Sequence, residues 1–315
     1  MKHLIGVVAS ALLGVVPAVI ALSPAMPAGA AVRAAASASS VSCTSSSHPA
    51  LAARLARDIQ AARHGRVSAV AVGVDDPGMG LACSLNSSAH FDSASVVKVI
   101  ILGALLRKAM EQHRFLTGTE VSLARAMITR SDNNAASALW ADVGRGSLQR
   151  LLNLAKMAQT FLGPGGFWGL TQITAHDEIL LLRLLLYANP VLDTASRNYA
   201  LGLMAQVIAS QRWGVPAGAP TSLTVHVKNG WLPRATHGWR IHSIGGFTGH
   251  GRSYGIVVLT QDNPTMAYGI TTIEAIARAI HHDLNPTATS VIPPSEPSPS
   301  WTIPDEVIPA MPDIP

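Results

Sequence analysis

Residues 91–112 read FDSASVVKVIILGALLRKAMEQ, and they form a strongly apolar helical pattern within the predicted domain. Beyond Ser95 it is apolar on nearly every side of a helix, which predicts a helix buried all round. Ser95 and Lys98 are polar exceptions at its start, and side chains three residues apart share one helix face. The segments before and after this helix determine what covers it.

The rest of the chain places strands at both ends of a helical block. Apolar periodicity and turn residues predict each element. In order, the elements are a helix at 49–62, strands at 67–74 and 81–85, the helix at 95–112, a helical block at 120–207, strands at 223–228, 239–246 and 254–261, and a helix at 271–282. We therefore predict an α+β fold in which the terminal helices flank a mostly antiparallel five-stranded sheet. A helical subdomain lies beside the sheet, with a cleft between them.

The two ends of the chain differ in composition from its middle. An apolar run at 4–22 follows Lys2 and His3, and Ala28, Gly29 and Ala30 form a small-residue cleavage pattern. This predicts a signal peptide over 1–30 and a secreted, extracellular protein without a membrane span after cleavage; an uncleaved anchor is the alternative. Residues 31–48 are rich in alanine and serine and predict a flexible lead-in, and 285–315 predict a proline-rich disordered tail. The globular domain is 49–284.

Cys43 and Cys83 are the two cysteines of the chain. Export would bring them into a compartment where thiols oxidise, so we expect a disulfide; two unpaired thiols are the alternative.

The formal net charge is +5, and it comes mostly from scattered arginines. A surface that binds nucleic acid needs a basic run or interleaved aromatic residues, and the sequence has neither. We expect no nucleic-acid partner and a monomer that acts on a small molecule.

Three short motifs carry the chemistry. They are Ser95-Val96-Val97-Lys98, Ser131-Asp132-Asn133 and Lys228-Asn229-Gly230. The chain has five lysines, and two of them fall in these motifs. The triple resembles that of the class A serine β-lactamases and penicillin-binding proteins, and the resemblance covers about 49–284. It implies a β-lactamase/transpeptidase-like fold and a serine hydrolase that forms an acyl-enzyme on β-lactams or peptidoglycan-like substrates.

The resemblance also implies a role for each motif. Ser95 is the nucleophile, and Lys98 is its base because the helix N-terminus and Lys228 both disfavour a second positive charge there. Lys228 stays charged and steers the substrate carboxylate, while Ser131 relays a proton to the leaving nitrogen. The expected substrate-binding residues are Asn133, Asn229, Gly230 and Trp231, with the Ser95 and Trp231 N–H groups as oxyanion donors. No cofactor or metal is expected.

Each motif also has a plain structural interpretation. Lys98 could be a solvated helix lysine, Ser131-Asp132-Asn133 a helix cap, and Asn229-Gly230 a hairpin turn.

The sequence departs from the family pattern at two places. Asn229 replaces the threonine or serine of the third motif, and no glutamate lies between Asn133 and Thr174 to activate the deacylating water. Asp142 is the sole acid there, and a glycine-rich stretch occupies 163–169. His226 could substitute as a base or be a packed strand histidine. Three functions remain open: a hydrolase, a binding or sensing module without turnover, and a D,D-peptidase or esterase.

Overall fold

The computed structural model describes residues 40–296, which form a sheet with helices on both faces. In chain order the elements are β1 (Ser42–Ser45), α1 (Pro49–Ala62), β2 (Ala69–Asp76), β3 (Leu81–Leu85), β4 (Phe91–Asp92), α2 (Val97–Glu111), α3 (Gly118–Thr129), α4 (Asn133–Leu154), β5 (Gln172–Ile173), α5 (Ala175–Leu186), α6 (Thr194–Ala205), β6 (Thr224–Pro233), β7 (Trp239–Gly249), β8 (Arg252–Asn263) and α7 (Met266–Leu284). The helices α1 and α7 pack together against one face of the sheet, and α5 packs on the other beside the helical block.

The main sheet is antiparallel with the strand order β1-β3-β2-β8-β7-β6. The α+β class is confirmed, with six strands instead of the expected five. The sixth is β1, which lies in the segment expected to be a flexible lead-in. Its side chains have little to bury, but it pairs with β3 in a register that sets Cys43 opposite Cys83. These two cysteines form a disulfide, as expected, and it fixes β1 to the edge of the sheet.

The start of the expected disordered tail is also part of the fold. The backbone of Ile292 exchanges hydrogen bonds with Gly218 and Ala219, and the Ser295 N–H donates to the Glu274 carboxylate. Residues 286–295 therefore run along the domain, contrary to the expectation for that segment. The expected signal peptide at 1–30 and the last residues of the tail lie outside the described residues.

Two element limits matter for the site. Strand β6 continues through Asn229 and Gly230 to Pro233, so these residues form no hairpin turn. The helix α2 is preceded by a single tighter turn at Ala94–Val96, and it is buried along almost its whole length. Within residues 40–296, no helix is long and apolar enough to cross a membrane.

Candidate active site

Ser95 lies in the turn that leads into α2, and it is 8% exposed. Ala94, immediately before it, has a left-handed backbone with φ of 46°. The edge strand β6 approaches this turn so closely that a Cβ on Gly230 would lie 3.0 Å from the Ser95 nitrogen and 2.9 Å from the Ser93 oxygen. Glycine is therefore required at position 230 for the strand to lie against the serine.

Ser131 brings the two motif lysines together. Lys98 and Lys228 are both fully buried. The Lys98 Nζ lies 3.2 Å from the Ser131 Oγ, 2.7 Å from the Ser131 carbonyl oxygen and 2.6 Å from Asn133 Oδ1. The Lys228 Nζ lies 3.0 Å from the same hydroxyl and 2.7 Å from the Asn229 carbonyl. One hydroxyl thus lies between two buried amines that are 130 positions apart in the chain.

A strained turn holds Ser131 in this position. Its φ is 58°, a left-handed conformation that a serine adopts only at a cost. The next residue, Asp132, caps α4 by accepting a hydrogen bond from the Ala135 N–H at 2.7 Å. The cap begins α4 directly after Ser131, so both the carbonyl and the hydroxyl of Ser131 face Lys98. The second motif therefore caps a helix and also contributes Ser131 to a group that we call the lysine cluster, which consists of Lys98, Ser131 and Lys228.

Burial determines the electrostatics of the lysine pair. It lowers the pKa of Lys228 well below its usual range, and the neighbouring Lys98 lowers that pKa further. Two ammonium groups sharing one hydroxyl in a dry site repel each other strongly. The pKa of Lys228 is therefore shifted towards the neutral form in the unliganded site, in the direction opposite to the permanent charge expected from the sequence.

The side chains of Asn229 and Trp231 lie away from the lysine cluster. The Asn229 Nδ2 donates to the carbonyls of Gln211 and Trp213 at 2.9 and 2.8 Å, and the Trp231 ring lies 6.0 Å from that of Trp213. Successive residues of a strand point to opposite faces, so with Lys228 and Gly230 facing the helical block these two face the 211–213 segment. Asn133 does lie beside the cluster, since its Oδ1 accepts from Lys98, and Gly230 lies against the Ser95 turn.

Neither candidate for a second base reaches the cluster. Asp142 forms an ion pair with Lys108 at 3.6 Å, and ten helical residues separate Lys108 from Lys98, which is about 15 Å. Both ring nitrogens of His226 are occupied, one by the Leu201 carbonyl and the other by the Thr248 hydroxyl. Burial also lowers the pKa of His226. It is a packed strand histidine.

Sequence reasoning missed two features around the nucleophile. The Trp168 ring centroid lies 4.6 Å from the Lys98 Nζ. Asp92 forms ion pairs with Arg240 at 3.3 Å and Arg234 at 3.5 Å, and it accepts from Gln172 at 2.6 Å. This network joins β4 and β5 to the β6–β7 hairpin. Since β4 ends three residues before Ser95, the network also helps to position the nucleophile turn. Nothing in the sequence indicates the partners of Asp92.

A metal centre has no candidate ligand set in the described part of the chain. No group of three or more His, Cys, Asp or Glu side chains in 40–296 could hold an ion.

A comparison with protein families identifies the family of this chain. The model of a family described as "Beta-lactamase enzyme family" matches residues 117–284, which is more than half of the chain, and the chain therefore belongs to that family. The matched segment contains Ser131 and Lys228 and begins after Ser95. No curated protein matches the chain.

Solved structures match the fold at low sequence identity. A representative class A β-lactamase from Bacteroides cellulosilyticus is 18% identical with a TM-score of 0.64, over 74% of this chain and 98% of that one. A β-lactamase from Sphaerobacter thermophilus is 19% identical with a TM-score of 0.63, over 77% and 99%. PBP-A is 17% identical with a TM-score of 0.63, over 74% and 96%. The predicted resemblance to the class A serine β-lactamase and penicillin-binding protein superfamily is confirmed.

Proposed function

We propose that this chain is an exported serine hydrolase that takes β-lactams or related acyl compounds onto Ser95 as an acyl-enzyme. The observation that carries the proposal is the Ser131 hydroxyl between two buried lysine amines, one of which follows Ser95 by three residues at the start of α2. A serine hydroxyl needs a neighbouring base before it attacks a carbonyl, and a buried amine that can shed its proton supplies one.

The anionic end of the substrate sets the charge distribution. A carboxylate docked at Lys228 favours the ammonium form of that lysine. The Ser131 hydroxyl touches both amines, so a proton can pass from Lys98 through Ser131 to Lys228. Lys98 is then neutral and ready to act as the base. Substrate binding thus converts Lys98 to its neutral, basic form. This agrees with the lowered pKa of Lys228 before the substrate binds.

Acylation then proceeds by proton transfers within the cluster. The Ser95 Oγ bonds to the substrate carbonyl carbon while its proton goes to Lys98. The N–H groups of Ser95 and Trp231 are the oxyanion donors that the family resemblance assigns, and such donors contribute strongly to catalysis. The C–N bond breaks as the leaving nitrogen takes a proton from Ser131, which regains one from Lys98. Asn133 holds the substrate amide.

Deacylation is the slow step in this proposal. Hydrolysis of the acyl-enzyme needs a base that activates water, and Asp142 and His226 are engaged elsewhere. A long-lived adduct also suits the second candidate function, a β-lactam or peptidoglycan sensor that captures its ligand without turnover. A D,D-peptidase or esterase would instead release product from a different acyl group.

Export is supported by the disulfide. Disulfides persist in oxidising compartments and are rare in the cytosol. The Cys43–Cys83 bond therefore agrees with the predicted signal peptide at 1–30 and a secreted protein.

The test is intact-mass measurement of the purified protein during incubation with benzylpenicillin. We expect an adduct equal to the mass of the penicillin on wild type and on S122A, an exposed control serine, and none on S95A. Rapid loss of the adduct with product release identifies a hydrolase, and persistence over hours favours the sensor. Failure to label, followed by turnover of acyl-D-Ala-D-Ala peptides or esters, identifies the peptidase or esterase. An equal adduct on S95A contradicts the proposal.

A further inference from the structure

Trp168 belongs to the glycine-rich segment 163–169, and its ring lies over the Lys98 amine. Its ring centroid lies 4.6 Å from the Lys98 Nζ, and the residue is 2% exposed. Its Nε1 donates to the Ser137 hydroxyl on α4 at 3.1 Å. The indole thus fills the space between Lys98 and α4.

The segment that carries Trp168 is fixed against the nucleophile turn. The Ser93 N–H donates to the Thr171 carbonyl at 2.8 Å, and the Ser93 hydroxyl donates to the carbonyl of Gly169 at 3.3 Å. At the other end of the segment, Arg145 of α4 donates to the Gly163 carbonyl at 2.7 Å. A Cβ on Gly163 would lie 2.1 Å from the Phe167 oxygen, so the segment folds this tightly only with glycine there. These contacts hold the indole in one place.

The position of Trp168 has two chemical consequences. A cation over an aromatic face is stabilised, so the indole favours the ammonium form of Lys98 over the neutral base. The ring also occupies the volume beside Lys98 where a water could otherwise lie. Without it, the Lys98 amine, the Asn133 side chain and the Ser137 hydroxyl would line the space, and three polar partners are enough to hold a water.

We propose that Trp168 is a positioning residue that keeps water away from Lys98, the base three residues after acylated Ser95, and thereby makes the acyl-enzyme long-lived. This inference rests on the proposed function. Hydrolysis would proceed by bonding of a water oxygen to the acyl carbon while its proton goes to Lys98. The Ser95 Oγ would then leave and take a proton back from Lys98. Trp168 prevents the first of these steps.

The experiment separates acylation from deacylation in Trp168 variants. Wild type, W168F, W168L and W168A are labelled with benzylpenicillin, freed of excess reagent, and followed by intact mass as the adduct decays. W239F is the matched control, since Trp239 begins β7 and pairs with Pro233, which lies five residues beyond Lys228 on β6. Circular dichroism and a thermal melt check that each variant is folded.

We expect the adduct of W168A to decay at least about tenfold faster than that of wild type, because even modest general-base assistance gives such a factor. W168L should decay at an intermediate rate. W168F should restore the wild-type lifetime, and the acylation rate should change much less than the decay rate. If W168A or W168L forms the adduct and keeps it as long as wild type does, the inference is wrong while the proposed function stands. If W168A does not fold, the W168L lifetime decides by itself. If wild type forms no adduct, the proposed function fails first.

Discussion

Replacing Gly230 with alanine tests the close approach of strand β6 to the turn that carries Ser95. The new Cβ would lie 2.9 Å from the Ser93 oxygen and 3.0 Å from both the Ser95 and Val96 nitrogens, whereas ordinary contact begins at 3.4 Å. All three atoms belong to the backbone, so either β6 or the nucleophile turn must move by about half an ångström. Such overpacking costs about 1–3 kcal/mol of folding free energy. The displaced Ser95 N–H no longer aims at the developing oxyanion, which should slow acylation by about 100-fold.

The assay measures the second-order acylation constant of G230A with a fluorescent penicillin, together with urea unfolding. G202A is the matched control, because Gly202 lies in α6 with open space around its Cβ position. Alanine is the better helix former, so G202A should gain about 0.5–1 kcal/mol of stability and acylate normally. If G230A acylates at the wild-type rate, then acylation does not depend on the close approach of β6 to the Ser95 turn, and the proposed role of that turn is wrong.

Three further changes test the rest of the account. Replacing Cys43 and Cys83 with serine opens a loop of 40 residues and should cost about 4 kcal/mol in urea unfolding, and an unchanged midpoint would show that the bond does not stabilise the domain. Full burial and the nearby Asp177 raise the pKa of Glu178 well above its usual value, so the wild type loses stability as pH rises above the unfolded pKa of 4.5. The melting temperature of E178Q minus that of wild type should therefore increase from about pH 5 to about pH 8. A difference that stays constant over this range would show that burial does not raise the pKa of Glu178. N229A leaves two carbonyls unsatisfied and should lose about 1–3 kcal/mol of stability, with a smaller effect on penicillin affinity; the reverse would make Asn229 a substrate ligand.

Elements with strong local signals were predictable from the sequence. The helix at Pro49–Ala62 and the strand at Leu81–Leu85 have the predicted limits, because a first-turn proline and a turn of aspartates and glycines mark them. The strand β1 was missed because its side chains carry no alternation. It is held by edge pairing and the disulfide, both of which depend on residues 40 positions away.

The sequence indicated three residues that the structure brings together, Lys98, Ser131 and Lys228, but not the contacts around them. Rare lysines within three ordered motifs identified Ser95, Lys98, Ser131 and Lys228, and the structure places both lysines on Ser131. The side-chain direction of Asn229 follows from strand alternation, which the resemblance alone does not reveal. The contact between Trp168 and Lys98 depends on how a loop folds back over 70 residues, and no local pattern encodes that.

Peptide mapping after labelling shows which residue of the protein carries the acyl group. The wild-type protein is acylated with a fluorescent penicillin, digested, and sequenced by tandem mass spectrometry. We expect the label on the hydroxyl of Ser95, and we expect K98A, which lacks the base, to gain it far more slowly. A label on any other residue, or undiminished labelling of K98A, would contradict this expectation.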